Sequence, residues 1–171
     1  MPATRIDPLL LMTIAADAAT LDRVRFLQKY RRPVLVAIRW RESAWSGAAY
    51  DSTARNTAAD HDTDSDRAAA PCWEIPADAG PVVTLGRAPD NDIVIPEPNL
   101  SKWHLELVST ASGWVVRDLG SRNGTWVEAD QVQLASPHPL ESGQTLVVGG
   151  SVRLRFLFPA GLWDFLSPGG A

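Results

Sequence analysis

The feature that most constrains this fold is a series of short apolar runs in the second half of the chain, each ended by turn-forming residues. Such runs lie at residues 82–85, 93–95, 104–108 and 114–119. They are rich in valine, isoleucine and leucine, and they are too short for helices. Strands separated by turns about every 8 to 12 residues are typical of a sandwich or a barrel. The sequence therefore predicts an all-β domain of one of these two kinds.

Further strands are predicted at residues 73–75, 125–127, 144–148 and 151–158, and the last two of these should form a hairpin. Because successive side chains of a strand point to opposite faces, alternate residues should be buried between two sheets. The predicted core residues are Leu85, Val94, Leu105, Leu107, Val115, Val127, Leu146, Leu154 and Phe156.

The N-terminal region has helical character. Residues 8–30 contain an irregular apolar face and several alanines, which favour a helix. Alternatively, Thr20 caps a shorter helix over residues 21–30. This region is expected either to pack on the β domain or to contact a partner. The C-terminal residues 162–166 are predicted to form a short turn on the same body.

The sequence predicts five segments along the chain. A helical extension covers residues 1–32, and residues 33–41 are predicted to supply the first strand of the β domain. Residues 42–70 are rich in Ala, Ser, Thr and Asp with few large aliphatic residues, so we expect a flexible acidic insertion. The β domain proper spans residues 71–159, and residues 160–171 form a tail.

Charge and cysteine content argue against several functional classes. The formal net charge of -4 over 171 residues disfavours general binding to nucleic acid or to an anionic membrane. The single cysteine, Cys72, has no partner for a disulfide within the chain and is typical of a reducing compartment. No apolar run is long enough to span a membrane, and the run at residues 9–14 is too short for a signal peptide. We therefore expect a cytoplasmic protein.

The acidic stretch at residues 60–66 alternates aspartate with other residues, which raises the question of calcium binding. It lacks the glycine and the glutamate that complete an EF-hand loop. No metal site is expected.

Three polar clusters lie where apolar runs end, so their side chains are expected to project from loops. They are Gly86-Arg87, Ser-Lys-Trp-His at residues 101–104 and Ser-Arg-Asn-Gly-Thr at residues 121–125. A phosphate dianion binds guanidinium and ammonium groups together with hydroxyl and amide donors. The clusters supply these groups from Arg87, Lys102, Arg122, Ser101, Ser121 and Asn123. The set is about the size that one phosphate requires.

The order and spacing of the clusters resemble the signature of the forkhead-associated (FHA) domain. Gly-Arg is followed after about fourteen residues by Ser-Lys-x-His and then by Ser-x-Asn-Gly-Thr, and the resemblance extends over roughly residues 71–159. It implies a two-sheet β-sandwich of the FHA type whose loops bind phosphothreonine peptides. It also implies a bacterial, non-catalytic adaptor that needs no cofactor and acts downstream of a Ser/Thr kinase, binding the kinase or its phosphorylated substrate.

The resemblance implies a role for each matching residue. Arg87 and Ser101 would bind the phosphate, whereas Lys102 stands where the family often has arginine, so its contact would be weaker. Arg122 would face the peptide or its phosphate, and Asn123 would bond the peptide backbone. The residues expected to support the site structurally are Gly86, His104 and Gly124. The family also uses a pocket for the third residue after the phosphothreonine, which the sequence does not locate.

Two other hypotheses stay open at this point. One keeps the fold without phosphate binding and makes the chain a scaffold or assembly subunit, for example of a bacterial secretion system. The other is a hydrolase built on Ser101, His104 and Asp118, although the sequence has no G-x-S-x-G motif and no helix is predicted after the serine.

Overall fold

The computed structural model describes residues 5–39, 70–76, 82–132 and 136–167, and these form a β-sandwich with a helical layer on one side. The strands are β1 Leu9–Leu10, β2 Val34–Arg39, β3 Pro71–Glu74, β4 Val82–Gly86, β5 Ile93–Val94, β6 Leu105–Thr110, β7 Gly113–Asp118, β8 Thr125–Val127, β9 Asp130–Gln131, β10 His138–Leu140, β11 Thr145–Val148 and β12 Val152–Leu157. The helices are α1 Leu11–Thr20, α2 Arg23–Lys29 and α3 Pro159–Leu166.

The strands form two sheets. One has seven strands in the order β1-β3-β2-β12-β11-β8-β9, and the other has five in the order β10-β7-β6-β4-β5. Strand pairing is antiparallel except between β4 and β5. The predicted all-β sandwich class is therefore confirmed. The strand predicted at residues 33–41 is β2, which lies between β3 and β12 near the middle of the larger sheet.

The core between the sheets contains most of the predicted residues, but Val94 and Val115 were predicted wrongly because each lies only half-buried. Val116 pairs directly with Leu107, and opposed residues of an antiparallel pair point to the same face. Val116 and Trp114 are therefore buried, and Val115 faces outward. A shift of one residue in the assumed register exchanges the two faces of a strand. In the same way Ile93 is buried in place of Val94.

Strand β2 is buried on both faces, which explains its continuous apolar run. Leu35 and Ala37 belong to the core between the sheets, whereas Val34 and Val36 belong to a second apolar cluster under the helices. Phe26 of α2 is at the centre of this second cluster, against the rings of Tyr30 and Trp163. The N-terminal helices thus pack on the β domain, as one of the two alternatives predicted.

The helices differ in detail from the prediction. Residues 8–30 form the short strand β1 and two helices, and α2 is capped by Asp22, which accepts a hydrogen bond from the Arg25 amide at 2.9 Å. Thr20 does not cap a helix, because its hydroxyl donates to the Ala16 carbonyl of the preceding turn. At the C-terminus the predicted turn is the helix α3. Pro159 starts this helix at a position where the missing amide hydrogen has no helical acceptor.

Most of the predicted acidic insertion lies outside the described residues, which exclude 40–69. Its last residue, Ala70, is buried, and its carbonyl accepts from the Leu11 amide at 2.9 Å. The proposed boundaries between segments stay predictions. Cys72 is also buried, and burial raises the pKa of its thiol to about 12.

Within the described ranges, no helix is long and apolar enough to cross a bilayer. The same ranges contain no group of three or more His, Cys, Asp or Glu residues arranged to hold a metal ion.

The helical layer should contribute measurably to stability. Phe26 has no exposed surface, so Phe26→Ala leaves a cavity and is expected to lower the free energy of unfolding by about 3–5 kcal/mol. Val24 lies on the same helix and is 65% exposed, so Val24→Ala should change that free energy by less than about 0.5 kcal/mol. Urea denaturation measures both values. Equal effects of the two substitutions would show that α2 does not pack stably on the sheet.

Candidate functional site

The three predicted polar clusters meet at one end of the sandwich through direct hydrogen bonds. The Arg87 amide, just after β4, donates to the Ser101 carbonyl at 3.0 Å. The Arg122 amide, between β7 and β8, donates to Ser101 Oγ at 2.9 Å. The Ala88 amide donates to the Lys102 carbonyl at 3.0 Å. Ser101 therefore contacts both other clusters and lies at the junction of the three loops.

Gly86 permits the close approach of two of these loops. A Cβ atom at this position would lie 2.3 Å from the carbonyl oxygen of Lys102, far inside van der Waals contact. Any other residue would push the loop of Ser101 and Lys102 away from the end of β4. The glycine that precedes Arg87 thus helps to set the position of Ser101 relative to that arginine.

His104 connects the second and third clusters through hydrogen bonds of its buried ring. Its side chain is fully buried, its Nδ1 accepts from the Ser101 amide at 3.0 Å, and its Nε2 lies 3.0 Å from the Gly124 carbonyl. Because an amide only donates, Nδ1 is unprotonated, and Nε2 must carry the hydrogen that it donates to Gly124. Burial lowers the pKa of His104 and outweighs the opposite effects of the Gly124 carbonyl and Asp118. The ring is therefore neutral.

Asp118 holds the turn of the third cluster. Its carboxylate accepts four hydrogen bonds at 2.6–2.9 Å, from the amides of Gly120 and Ser121 and from the hydroxyls of Ser121 and Thr125. Burial alone would raise the pKa of this carboxyl, but the donors from Thr125, Ser121 and Gly120 together hold the pKa below its ordinary value. Ser121 was predicted as a phosphate donor, yet its hydroxyl is used inside this turn.

Ser101, His104 and Asp118 do not form a hydrolase triad. Ser101 Oγ accepts from Arg122 and has no bond to the imidazole, and both ring nitrogens of His104 are already bonded to backbone groups. The Asp118 carboxylate binds its own turn rather than His104. Hydrolysis of this kind requires a nucleophile bonded to a base, and a carboxylate that orients the base. These three residues do not form that arrangement.

Two supporting residues were missed by the sequence analysis. Asn91 is fully buried, and its Nδ2 donates to the carbonyls of Ala88 at 2.9 Å and Lys102 at 2.7 Å, which joins the first two clusters. Gly149 donates its amide to the Gly124 carbonyl at 3.0 Å. A buried asparagine between two turn aspartates gives no local sign of its distant acceptor.

The exposed groups of the site are mostly cationic or donors. Arg87 uses Nε to donate to the Leu100 carbonyl at 3.2 Å, which leaves both terminal nitrogens for a ligand. Within the described part of the chain, neither Arg87 nor Lys102 nor Arg122 forms an ion pair with a carboxylate. Asn123 donates through Nδ2 to the Asn99 carbonyl at 2.8 Å. All five residues predicted to bind a phosphopeptide are thus present on the three joined loops.

The neutral state of His104 predicts a pH dependence of stability. Its folded pKa is lower than the ordinary value of 6.5, so the unfolded state binds a proton first as pH falls through 6.5. The contribution of this residue should be complete above that pH and should decrease below it. We expect the difference in unfolding free energy between the wild type and His104→Gln to narrow from pH 8 to pH 5 in urea denaturation. A difference that stays constant or widens on acidification would contradict a neutral, buried imidazole.

Comparison with known proteins supports the fold and the family. Residues 83–149, which include all three clusters, match the FHA domain family model. The solution structure of the FHA domain of an Arabidopsis thaliana hypothetical protein superposes with a TM-score of 0.53 at 21% identity, covering 75% of this chain and 86% of that one. At that identity, the likeness supports the fold alone.

Two bacterial relatives match the same region. An ABC transporter ATP-binding/permease protein of Mycobacterium tuberculosis is 45% identical over 67 residues, which are 39% of this chain and 7% of the relative. The FHA domain-containing protein FhaB of Mycolicibacterium smegmatis is 36% identical over 70 residues, which are 41% of this chain and 44% of the relative. The similarity thus covers less than half of each of these relatives. Together, the family match, the two-sheet fold and the order of the three loops show that residues 83–149 of this chain match the forkhead-associated domain family.

Proposed function

We propose that the three joined loops bind a peptide containing phosphothreonine, through Arg87, Ser101, Lys102, Arg122 and Asn123. FHA domains as a family are phosphothreonine-binding modules. The observation that carries the proposal is the junction of three loops at Ser101, which carry three exposed cations without a carboxylate partner among the described residues. Such a group of cations repels itself unless an anion is bound.

The phosphate would be bound by complementary donors. The two terminal nitrogens of Arg87 suit two phosphate oxygens, and Lys102 adds a point charge. Ser101 Oγ already accepts from the Arg122 amide, so its own hydrogen is available for a phosphate oxygen. The backbone of the same loops is fixed by His104, Asn91 and Asp118. Little conformational entropy would therefore be lost on binding.

The peptide backbone would be held by Asn123. One hydrogen of its Nδ2 is used by the Asn99 carbonyl, and this contact fixes the orientation of the amide. Its Oδ1 can then accept from a peptide amide, which would align the ligand chain along the loop. Such a contact carries no sequence preference by itself.

The expected discrimination between phosphorylated and unphosphorylated peptide is large. Two or three charge-assisted hydrogen bonds at about 1.5–3 kcal/mol each would favour the phosphorylated form by about 3 kcal/mol or more. This is a factor of about a hundred or more in affinity. The methyl group of threonine, at about 0.8 kcal/mol when buried, would add only a few-fold over phosphoserine. The chain would thus act as a non-catalytic adaptor that responds to a Ser/Thr kinase.

A second candidate function is a phosphate-independent scaffold or assembly subunit. It is favoured by a different surface, where Leu9, Leu10 and Met12 are 42–51% exposed at the β1 edge of the larger sheet. Trp163 does not belong to this surface, because it packs against Phe26 in the helical layer. The two functions separate by whether phosphate is needed for partner binding.

Substitution of the phosphate-binding residues tests the adaptor function. Arg87→Ala and Ser101→Ala are expected to weaken binding of a phosphothreonine peptide by about 10- to 100-fold with thermal unfolding nearly unchanged. Arg23→Ala removes another exposed arginine, from α2, and serves as the charge-matched control for Arg87→Ala. Isothermal titration against degenerate phosphothreonine, phosphoserine and unphosphorylated peptides measures the affinities. Equal binding of all three peptide sets by the wild type would favour the scaffold.

Lys102 offers a second test of the same site. Because an ammonium lacks the fork of a guanidinium, Lys102→Arg should tighten phosphopeptide binding by about threefold, on the scale of one added hydrogen bond. Lys102→Ala should weaken binding less than Arg87→Ala does. Titrations at low and at physiological salt check both values. Tighter binding by Lys102→Ala than by the wild type would place this side chain outside the phosphate site.

A further inference from the structure

Trp103 is the one residue of the second cluster that phosphate binding does not use. Its side chain is 58% exposed, whereas Trp73 is completely buried and Trp114 is 8% exposed. An indole offers a large apolar area together with a polar N–H, and tryptophan is enriched at binding interfaces for that reason. Trp103 is the only aromatic residue among the most exposed large apolar side chains of the described residues.

The backbone on both sides of Trp103 is fixed. The Lys102 carbonyl accepts two hydrogen bonds, from the Ala88 amide and from Asn91. The His104 amide donates to the Leu85 carbonyl at 3.0 Å, and its ring is bonded at both nitrogens. The exposure of the indole is thus a property of a well-ordered loop. A rigid, exposed aromatic side chain loses little entropy when it becomes a contact residue.

The position of Trp103 places it beside the phosphate-binding residues. Its Cα lies at most about 7 Å from that of Ser101, since two peptide units separate them. A ligand that brings its phosphate to Ser101 therefore binds close to Trp103, whose indole is exposed to solvent. A residue close to the phosphothreonine would cover it.

A second copy of the chain is a less suitable occupant. A symmetric dimer formed through Trp103 would bring the same surface of both copies together. The cations of one copy would then face the same cations of the other, namely Arg87, Lys102 and Arg122. Like charges brought close together repel each other. A phosphorylated peptide instead supplies the anion and the apolar side chain together.

From this geometry we propose that Trp103 determines sequence specificity in the phosphopeptide site by packing against an aromatic or branched aliphatic side chain that flanks the phosphothreonine. The inference rests on the proposed function and adds a preference to it. It assigns the recognition of phosphate to the cationic loops and the recognition of one neighbouring side chain to the indole.

The test compares the wild type with Trp103→Ala, Trp103→Phe and Met12→Ala on a degenerate phosphothreonine peptide library. Met12 is 51% exposed and lies at the start of α1, so its substitution removes apolar surface outside the site. The wild type should enrich apolar residues at one position near the phosphothreonine. Trp103→Ala should lose this enrichment and bind the selected peptide about tenfold more weakly, equivalent to about 1.4 kcal/mol. Trp103→Phe should keep part of this enrichment, and Met12→Ala should keep all of it.

The outcomes separate this inference from the function on which it rests. Phosphate-dependent binding with the same preference and affinity in Trp103→Ala would overturn the role of Trp103 and leave the proposed function intact. Absence of phosphate dependence in the wild type would overturn both. Self-association of the wild type that Trp103→Ala abolishes, measured by sedimentation without peptide, would also overturn the inference by assigning the indole to a dimer interface. Thermal unfolding of each variant confirms that the fold is kept.

Discussion

The arrangement of the loops depends on a buried, neutral imidazole. His104 accepts from the Ser101 amide on one side and donates to the Gly124 carbonyl on the other, so one ring fixes the distance between two loops that are far apart in sequence. A charged ring would have a second N–H facing the Ser101 amide, where two donors would oppose each other. The same burial that keeps the ring neutral thus keeps the loops together. Asn91 performs the equivalent task between the first two clusters.

Much of the fold could be predicted because strand patterns and turn residues are local. The hairpins and most core positions follow from alternation and glycine turns. Val94 and Val115 could not be placed correctly, because the inward face of a strand depends on its pairing partner, which a short apolar run does not specify. Each alternative for the N-terminal region had a single helix, over residues 8–30 or 21–30, whereas the structure has two helices and Asp22 caps the second.

The site was predictable to the extent that its residues occur as a sequence signature. Arg87, Ser101 and Arg122 lie on joined loops, as the clusters suggested, while their roles in binding stay predictions. The residues that hold these loops in place were harder to predict from the sequence. Asn91 and Gly149 act through backbone groups distant in the chain, and Ser121 faces inward to Asp118 although its type suits a phosphate. Residue type indicates what a side chain can bind, but packing decides which partner it meets.

The position of β2 shows that the folded unit is larger than the region that matches the FHA family model. This strand begins at Val34, yet it lies between β3 and β12, so the larger sheet is complete only when both ends of the chain are present. The family match ends at residue 149, before β12 begins at Val152. A fragment cut at the limits of the match would expose the β11 edge and lack seven of the 21 buried residues in the core between the sheets. During synthesis, the first half of the chain must likewise wait for the last strand, a long-range pairing of the kind that slows folding.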